Sequence, residues 1–187
     1  MKHQKSGPAL LIPLLIILFA HLPNAAIAEE TNEEWVARIV SVQGVVQALR
    51  SQETQWVSVK LNDTYYSGDM IRVHKKSRAA IVLQNATIVR LDQNTTISFA
   101  LLKEKRSSLI NLIMGAVHFF SRIPKRLDIH TPFLNAAIEG TEFFLGVDEK
   151  RALLSVFKGS VVAKNELGSI TITSGQSAVA EKNYQPT

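Results

Sequence analysis

The sequence predicts an all-β domain, a compact sandwich or β-roll of about a dozen short strands. Three observations carry this expectation. β-branched and aromatic residues dominate the apolar runs, as strands prefer. Turn residues punctuate these runs roughly every 8–12 residues, the spacing of all-β domains. No stretch beyond the N-terminal region reads as a convincing helix.

The elements follow in order. "WVARIVSV" (35–42) sets Val36, Arg38, Val40 and Val42 on one face and Ala37 and Ile39 on the other. "VVQALR" follows Gln43-Gly44, and "QWVSVKL" (55–61) alternates Trp56, Ser58 and Lys60 against Val57, Val59 and Leu61. "RAAIVLQNATIVRL" holds two runs joined at Gln84-Asn85. "TTISFALL", "SLINLIM", "AVHFFSR", "LDIH", "ALLSVF", "SVVAK", "SITIT" and "SAVA" continue in the same style. In "TPFLNAAIEGTEFFLGVD" (131–148), two more runs flank Glu139-Gly140-Thr141.

One device recurs. An apolar run ends, a glycine or asparagine follows, and another apolar run begins. The joints are Gly44, Gly115, Gly140, Gly159 and Gly175, with Asn85 once in the same role. Such residues supply positive φ cheaply, so each joint reads as strand, tight turn, strand. Their unequal separations exclude a strict solenoid period. The device still allows solenoid-like stacking. Gly140 then marks a corner, with Ile138 and Leu145 as core residues and Phe143 as an apolar anchor beyond it.

The first 28 residues read as a cleavable signal peptide: Lys2 and Lys5, an apolar middle from Ala9 to Ala20, and Ala26-Ile27-Ala28. The apolar middle is too short to span a bilayer, which takes about 20 residues. Cleavage would start the mature chain at Glu29 and leave 159 residues, the size of one domain. The expected organisation is signal peptide 1–28, flexible leader 29–34, β-domain 35–182 and tail 183–187. No later segment is apolar enough to span, so a periplasmic or secreted location is expected.

There is no cysteine, so stability has to come from apolar burial, which the 46% hydrophobic content permits. The formal charge of +5 is too mild to argue for nucleic acid as a partner. Another envelope protein, an anionic cell-wall polymer or an anionic lipid fits better.

The ordered set of motifs resembles the FecR domain, an extracytoplasmic β-module of bacterial envelopes. "IVSVQGVVQA" is similar to its opening strand pair. "WVSVKLNDTYYSGDMIRV" is similar to its tryptophan, apolar spacer and Gly-Asp turn, here Trp56 and Gly68-Asp69. "LINLIMGAVHFFS", centred on Gly115, resembles the strand–Gly–strand that follows. The most specific part is Thr131-Pro132 followed by Gly140-Thr141-x-Phe143. Gly159 and Gly175-Gln176 lie in stretches similar to the closing strands. Two positions depart from the pattern: Asn85-Ala86 where the family often has Asp-Gly, and Arg72-Val73 where a threonine is common. The best-known members regulate a sigma factor through a cytoplasmic segment. That role is not expected to carry over to a chain without such a segment; the resemblance implies an envelope module that contacts other proteins or wall components.

No catalytic, cofactor-binding or metal-ligating constellation is expected. His74, His118 and His130 are far apart in sequence and read as structural. Ser155–Lys158 matches Ser-x-x-Lys, but lacks the helix and companion motifs that chemistry needs. Glu139 and Glu142 flank Gly140-Thr141 and read as solvated turn carboxylates rather than a glycosidase pair. Asn62, Asn85 and Asn94 sit in glycosylation sequons, and read as turn formers in a bacterial chain. Basic clusters at 72–78, 103–106 and 122–126 read either as solvated loops that guard strand edges or as an anionic-ligand patch. The candidate patch comprises Arg72, Lys75, Lys76, Arg78, Lys125 and Arg126.

Overall fold

The structure, a computed structural model, describes Met1 and residues 34–102, 107–121 and 126–187. The predicted signal peptide, most of the leader, the cluster at 103–106 and Lys125 lie outside the described residues. The chain divides into two units, Met1–Asn32 and Glu33–Thr187, and the strands all belong to the second.

Sixteen strands among the described residues form two sheets, A and B. β1 (Ala37–Gln43) is in A, and β2 (Val46–Leu49) and β3 (Val57–Ser58) form a hairpin in B. β4 (Thr64–Tyr65) returns to A and β5 (Met70–Val73) to B. β6 (Arg78–Leu83) and β7 (Ile88–Leu91) make a hairpin in A. β8 (Thr95–Leu102) lies in B, while β9 (Ser107–Phe120) begins in B and ends in A. β10 (Arg126–His130) and β11 (Asn135–Glu139) form a hairpin in B, and β12 (Glu142–Val147) and β13 (Arg151–Lys158) one in A. β14 (Ser160–Lys164) and β15 (Ser169–Thr173) close B, and β16 (Ser177–Glu181) closes A.

The order in A is β4-β1-β6-β7-β9-β12-β13-β16, antiparallel throughout. In B it is β3-β2-β5-β8-β9-β10-β11-β14-β15, with β9–β10 the single parallel pair. This is a sandwich of hairpins laid alternately in two sheets rather than a solenoid stack. One core cluster draws on both sheets, and strand alternation fills it: β12 and β14 bury every second residue. Tyr65, Phe99, Phe119 and Phe143 are fully buried, each contributing about 1.5–3 kcal/mol. Phe119 and Phe143 are register partners with rings stacked at 4.6 Å. Ile138 and Leu145 both lie in the core, on opposite sheets.

The glycine joints have a more specific meaning than tight turns. Eleven described residues have positive φ, and nine of them mark a passage between sheets: Gly44, Asn62, Gly68, Lys76, Asn94, Gly115, Gly140, Gly159 and Gly175. A left-handed residue redirects the chain within a residue or two, so alternation stays in phase on both sides of the corner. The joint at Asn85 differs. It is a hairpin within sheet A, its positive φ of 65° falls on Ala86, and Asn85 Oδ1 accepts from the Thr87 N–H. Gly140 carries β11 of sheet B into β12 of sheet A at φ 64°. A β-branched residue there is strained, so Gly140→Val should lower stability by more than about 1 kcal/mol; an unchanged melting temperature would remove the corner.

Three local expectations are corrected. Gly115 does not end a strand, because β9 runs unbroken through it for 14 residues. The run at 55–61 is a strand for only two residues, with Val57 and Leu61 exposed, because the chain leaves sheet B there to reach β4. Among the described residues the strands number sixteen rather than about a dozen, chiefly because β4 and β5 occupy a stretch that reads as a turn around Gly68-Asp69.

Candidate interaction face

The motif positions hold corners together. Asp69 is buried, and its carboxylate accepts from Arg50 Nη1 (2.9 Å), the Ser51 N–H (2.9 Å) and the Tyr66 N–H (3.0 Å). The Arg50 guanidinium lies 4.4 Å from the Tyr65 ring centre. Burial and the nearby Asp63 carboxylate push the Tyr65 hydroxyl up to about 12. Thr131 Oγ1 accepts from the Leu134 N–H (3.0 Å) and donates to the Leu134 carbonyl (2.8 Å), locking the β10–β11 turn around the exposed Pro132. Thr141 is buried, and its methyl group lies where a side chain at Gly159 would sit. Gly175 has open space around it. Trp56 stacks on Arg72, whose guanidinium is 4.1 Å from the ring centre.

The basic residues do not form one patch. Arg72 is held against Trp56 and donates to Gln47 Oε1 (2.7 Å), which His74 also contacts. Arg78 pairs with Asp92, and Arg126 forks onto Asp128. Lys75 and Lys76 are exposed on the β5–β6 passage. Arg72 stands opposite Thr96, whereas Arg126 is in line with Ser107, which faces Leu102. Six residues of β8 separate the two positions, about 20 Å at 3.3 Å per residue. Among the described residues the candidate patch is therefore divided, with Arg72 and Arg126 at opposite ends of sheet B and Arg78 on sheet A.

The residues weighed for chemistry are dispersed as well. Glu139 ends β11 in sheet B opposite Arg126, and Glu142 begins β12 in sheet A. Ser155 shares a hydrogen bond with Ser177 (2.8 Å) on the outside of sheet A, in a strand rather than at a helix start. Among the described residues no group of three His, Cys, Asp or Glu could hold a metal ion.

The outside of sheet A carries a feature that sequence reasoning missed. Glu142 pairs with Lys158 and Phe143 with Val156, so Phe157 is the extra residue of a β-bulge. Bulges re-aim a side chain. Here the result is a phenylalanine 55% exposed, edge-on to the His118 ring at 5.2 Å. His118 also meets Phe120 at 4.0 Å, and Arg90 covers that ring at 4.5 Å. Ile88 pairs with Phe120, and Phe144 with His118. Burial lowers the His118 pKa below the ordinary imidazole value, with Glu142 opposing and Arg90 pushing the same way as burial. The Glu142 carboxylate approaches Nε2 at 3.4 Å, an electrostatic contact that leaves this atom without a hydrogen bond. The outside of sheet B, by contrast, carries polar pairs such as Asn111–Ser98 and His130–Asn135. A signal for the aromatic face did exist. In Phe119-Phe120 and Phe143-Phe144, alternation must turn one ring of each pair outward.

The fold is a two-sheet sandwich in which motif residues such as Asp69, Thr131 and Thr141 hold corners, and the described outer face of sheet A gathers aromatics. Residues 69–162, half of the chain, match the FecR protein family. The chain belongs to the FecR family, one of signalling regulators rather than enzymes. Crystal structures of a predicted anti-sigma factor from Parabacteroides distasonis ATCC 8503, at 1.65 and 2.50 Å resolution, share the fold. Each has a TM-score of 0.56 and 15% identity, covering 63% of this chain and 57% of that one. No curated protein matches the chain.

Proposed function

We propose that this chain is an exported, non-catalytic FecR module that regulates or assembles an envelope system by binding another protein through the outer face of sheet A. The observation that carries the reading is the bulge-presented Phe157 with His118, Phe120, Phe144 and Ile88 around it. Exposed aromatics of this kind serve as anchors in protein interfaces. The anti-sigma assignment of the structural neighbour is in keeping with a signalling role. Export rests on the signal-peptide pattern of residues 1–28 and places the protein in the periplasm or outside the cell.

The test is crosslinking of the tagged protein in its own envelope, followed by low- and high-salt washes. A discrete protein should survive high salt. Phe157→Ala should cut its recovery at least about tenfold while leaving the melting temperature within about 2 °C, since the ring is largely exposed. The recovered chain should begin at Glu29 by intact mass. Recovery unaffected by Phe157→Ala but abolished by charge reversal at Lys75 and Lys76, with glycan or lipid released by salt, would transfer the function to an anionic envelope polymer.

A further inference from the structure

A two-sheet sandwich has four outer edges, and three of these end in a short or covered strand. β3 and β4 are two residues long, and β16 is covered where Val179 and Thr187 exchange two backbone hydrogen bonds of 2.8 and 3.0 Å. The fourth edge is β15, "SITIT", in unbroken register with β14. It has none of the devices that guard natural edges, namely charged side chains, proline or a bulge.

The phase of its ladder is known. The Asn165 N–H donates to the Gly168 carbonyl, so Gly168, Ile170 and Ile172 turn their backbone groups toward β14. Ser169, Thr171 and Thr173 turn theirs outward. Gln176 occupies the Thr173 N–H through Oε1 and also donates its own N–H to the Thr173 carbonyl, which keeps a second lone pair. No hydrogen bond occupies the N–H or C=O of Ser169 or Thr171 among the described residues, and both side chains are exposed.

We propose that β15 pairs with β15 of a second copy, antiparallel about a two-fold axis through Thr171. The strand is its own complement in that register. Thr171 meets the partner's Thr171, Ile170 meets the partner's Ile172, and Ser169 meets the partner's Thr173. Because Thr171 belongs to the outward set, the central pair makes two hydrogen bonds. Ser169 adds one to each Thr173 carbonyl, four in all, with Gln176 left in place. Threonine and serine pairs line the outer face and isoleucines the inner one, combinations that favour cross-strand pairing. No charge opposes the contact. Sheet B then runs continuously through the dimer. A contact built on one strand pair is at the low end of interface sizes, so the dimer should dissociate at micromolar concentrations.

Sedimentation velocity on the purified protein over about 5–300 μM tests this. The weight-average mass should climb toward twice the monomer and resist added salt. Thr171→Pro should stay monomeric across the range, yet melt within a few degrees of the wild type, because the N–H it removes points away from β14. Thr171→Lys, which places a charge on the axis, should also stay monomeric. A wild type that remains monomeric at 300 μM, or a Thr171→Pro protein that dimerises like the wild type, would overturn the proposal, the first result leaving the edge to a strand from a different protein.

Discussion

Gly115→Ala should lower the melting temperature by more than about 10 °C, or prevent folding altogether, although it adds a single methyl group. Gly115 has φ +104°, where an L side chain is strained by about 1–3 kcal/mol. A Cβ there would also lie 2.4 Å from Thr95 Cα and 2.8 Å from the Asn94 carbonyl oxygen. These are backbone atoms of the neighbouring strand, so no rotamer change relieves the clash. Thr95 cannot retreat either. It is fully buried, and its Oγ1 accepts from the Ala116 N–H and donates to the Ala116 carbonyl, clamping β9 just after the glycine. Strain and overlap together should exceed about 4 kcal/mol, and each kcal/mol moves the midpoint of a domain this size by about 2–4 °C. Gly175→Ala is the control. Gly175 also has positive φ, +83°, but nothing lies within 4 Å of its added Cβ, so only the strain of about 1–2 kcal/mol remains. Thermal melts of the two variants should separate widely. If Gly115→Ala is no worse than Gly175→Ala, β9 does not carry the chain from one sheet to the other at this residue.

That contrast also shows what the sequence could and could not convey. All-β architecture was legible because strand alternation is a local property: the alternation of "SITIT" is written into five consecutive residues. The glycine corners were legible for the same reason, since positive φ is a demand on one residue. What each corner joins was not. Gly115 and Gly140 look alike in sequence, yet one lies inside a continuous strand and the other between two. At Gly115 the chain is clamped by Thr95, twenty residues earlier, a contact that no local pattern conveys. The bulge at Phe157 is invisible for a related reason, because an extra residue exists only relative to a partner strand's register. Whether the basic residues converge was not legible either, because it depends on long-range pairing: β5 sets Arg72 level with the start of β8, and the β9–β10 pair sets Arg126 level with its end.

Asp69→Ala should cost about 2–4 kcal/mol, the largest loss expected from a polar residue in the described fold. One carboxylate satisfies three donors, two of them backbone N–H groups at Ser51 and Tyr66. Removing it strands those groups and leaves the Arg50 charge without its partner. Breaking a fully buried pair costs about 3–5 kcal/mol, and the lower range applies here because the Arg50 side chain is 37% exposed and can reach water. Asp69→Asn should be nearly as harmful. An amide nitrogen would have to face an N–H donor, so the turn keeps at most one of its two carboxylate acceptors. Arg50→Met should cost less than either, since both backbone bonds to Asp69 persist while the arginine's bond to the Thr64 carbonyl is lost. In a double-mutant cycle, Arg50→Met combined with Asp69→Ala should be less damaging than the sum of the two, because each single change already removes the ion pair. Strict additivity would mean that Arg50 and Asp69 act independently. The comparison with Phe157 bears on function: a structural lock loses partner binding only in proportion to the fraction unfolded, whereas the exposed ring should lose binding with the fold intact. An Asp69 variant that stays fully folded at the assay temperature yet fails to capture the partner would therefore move the binding surface from sheet A to the Gly68-Asp69 turn.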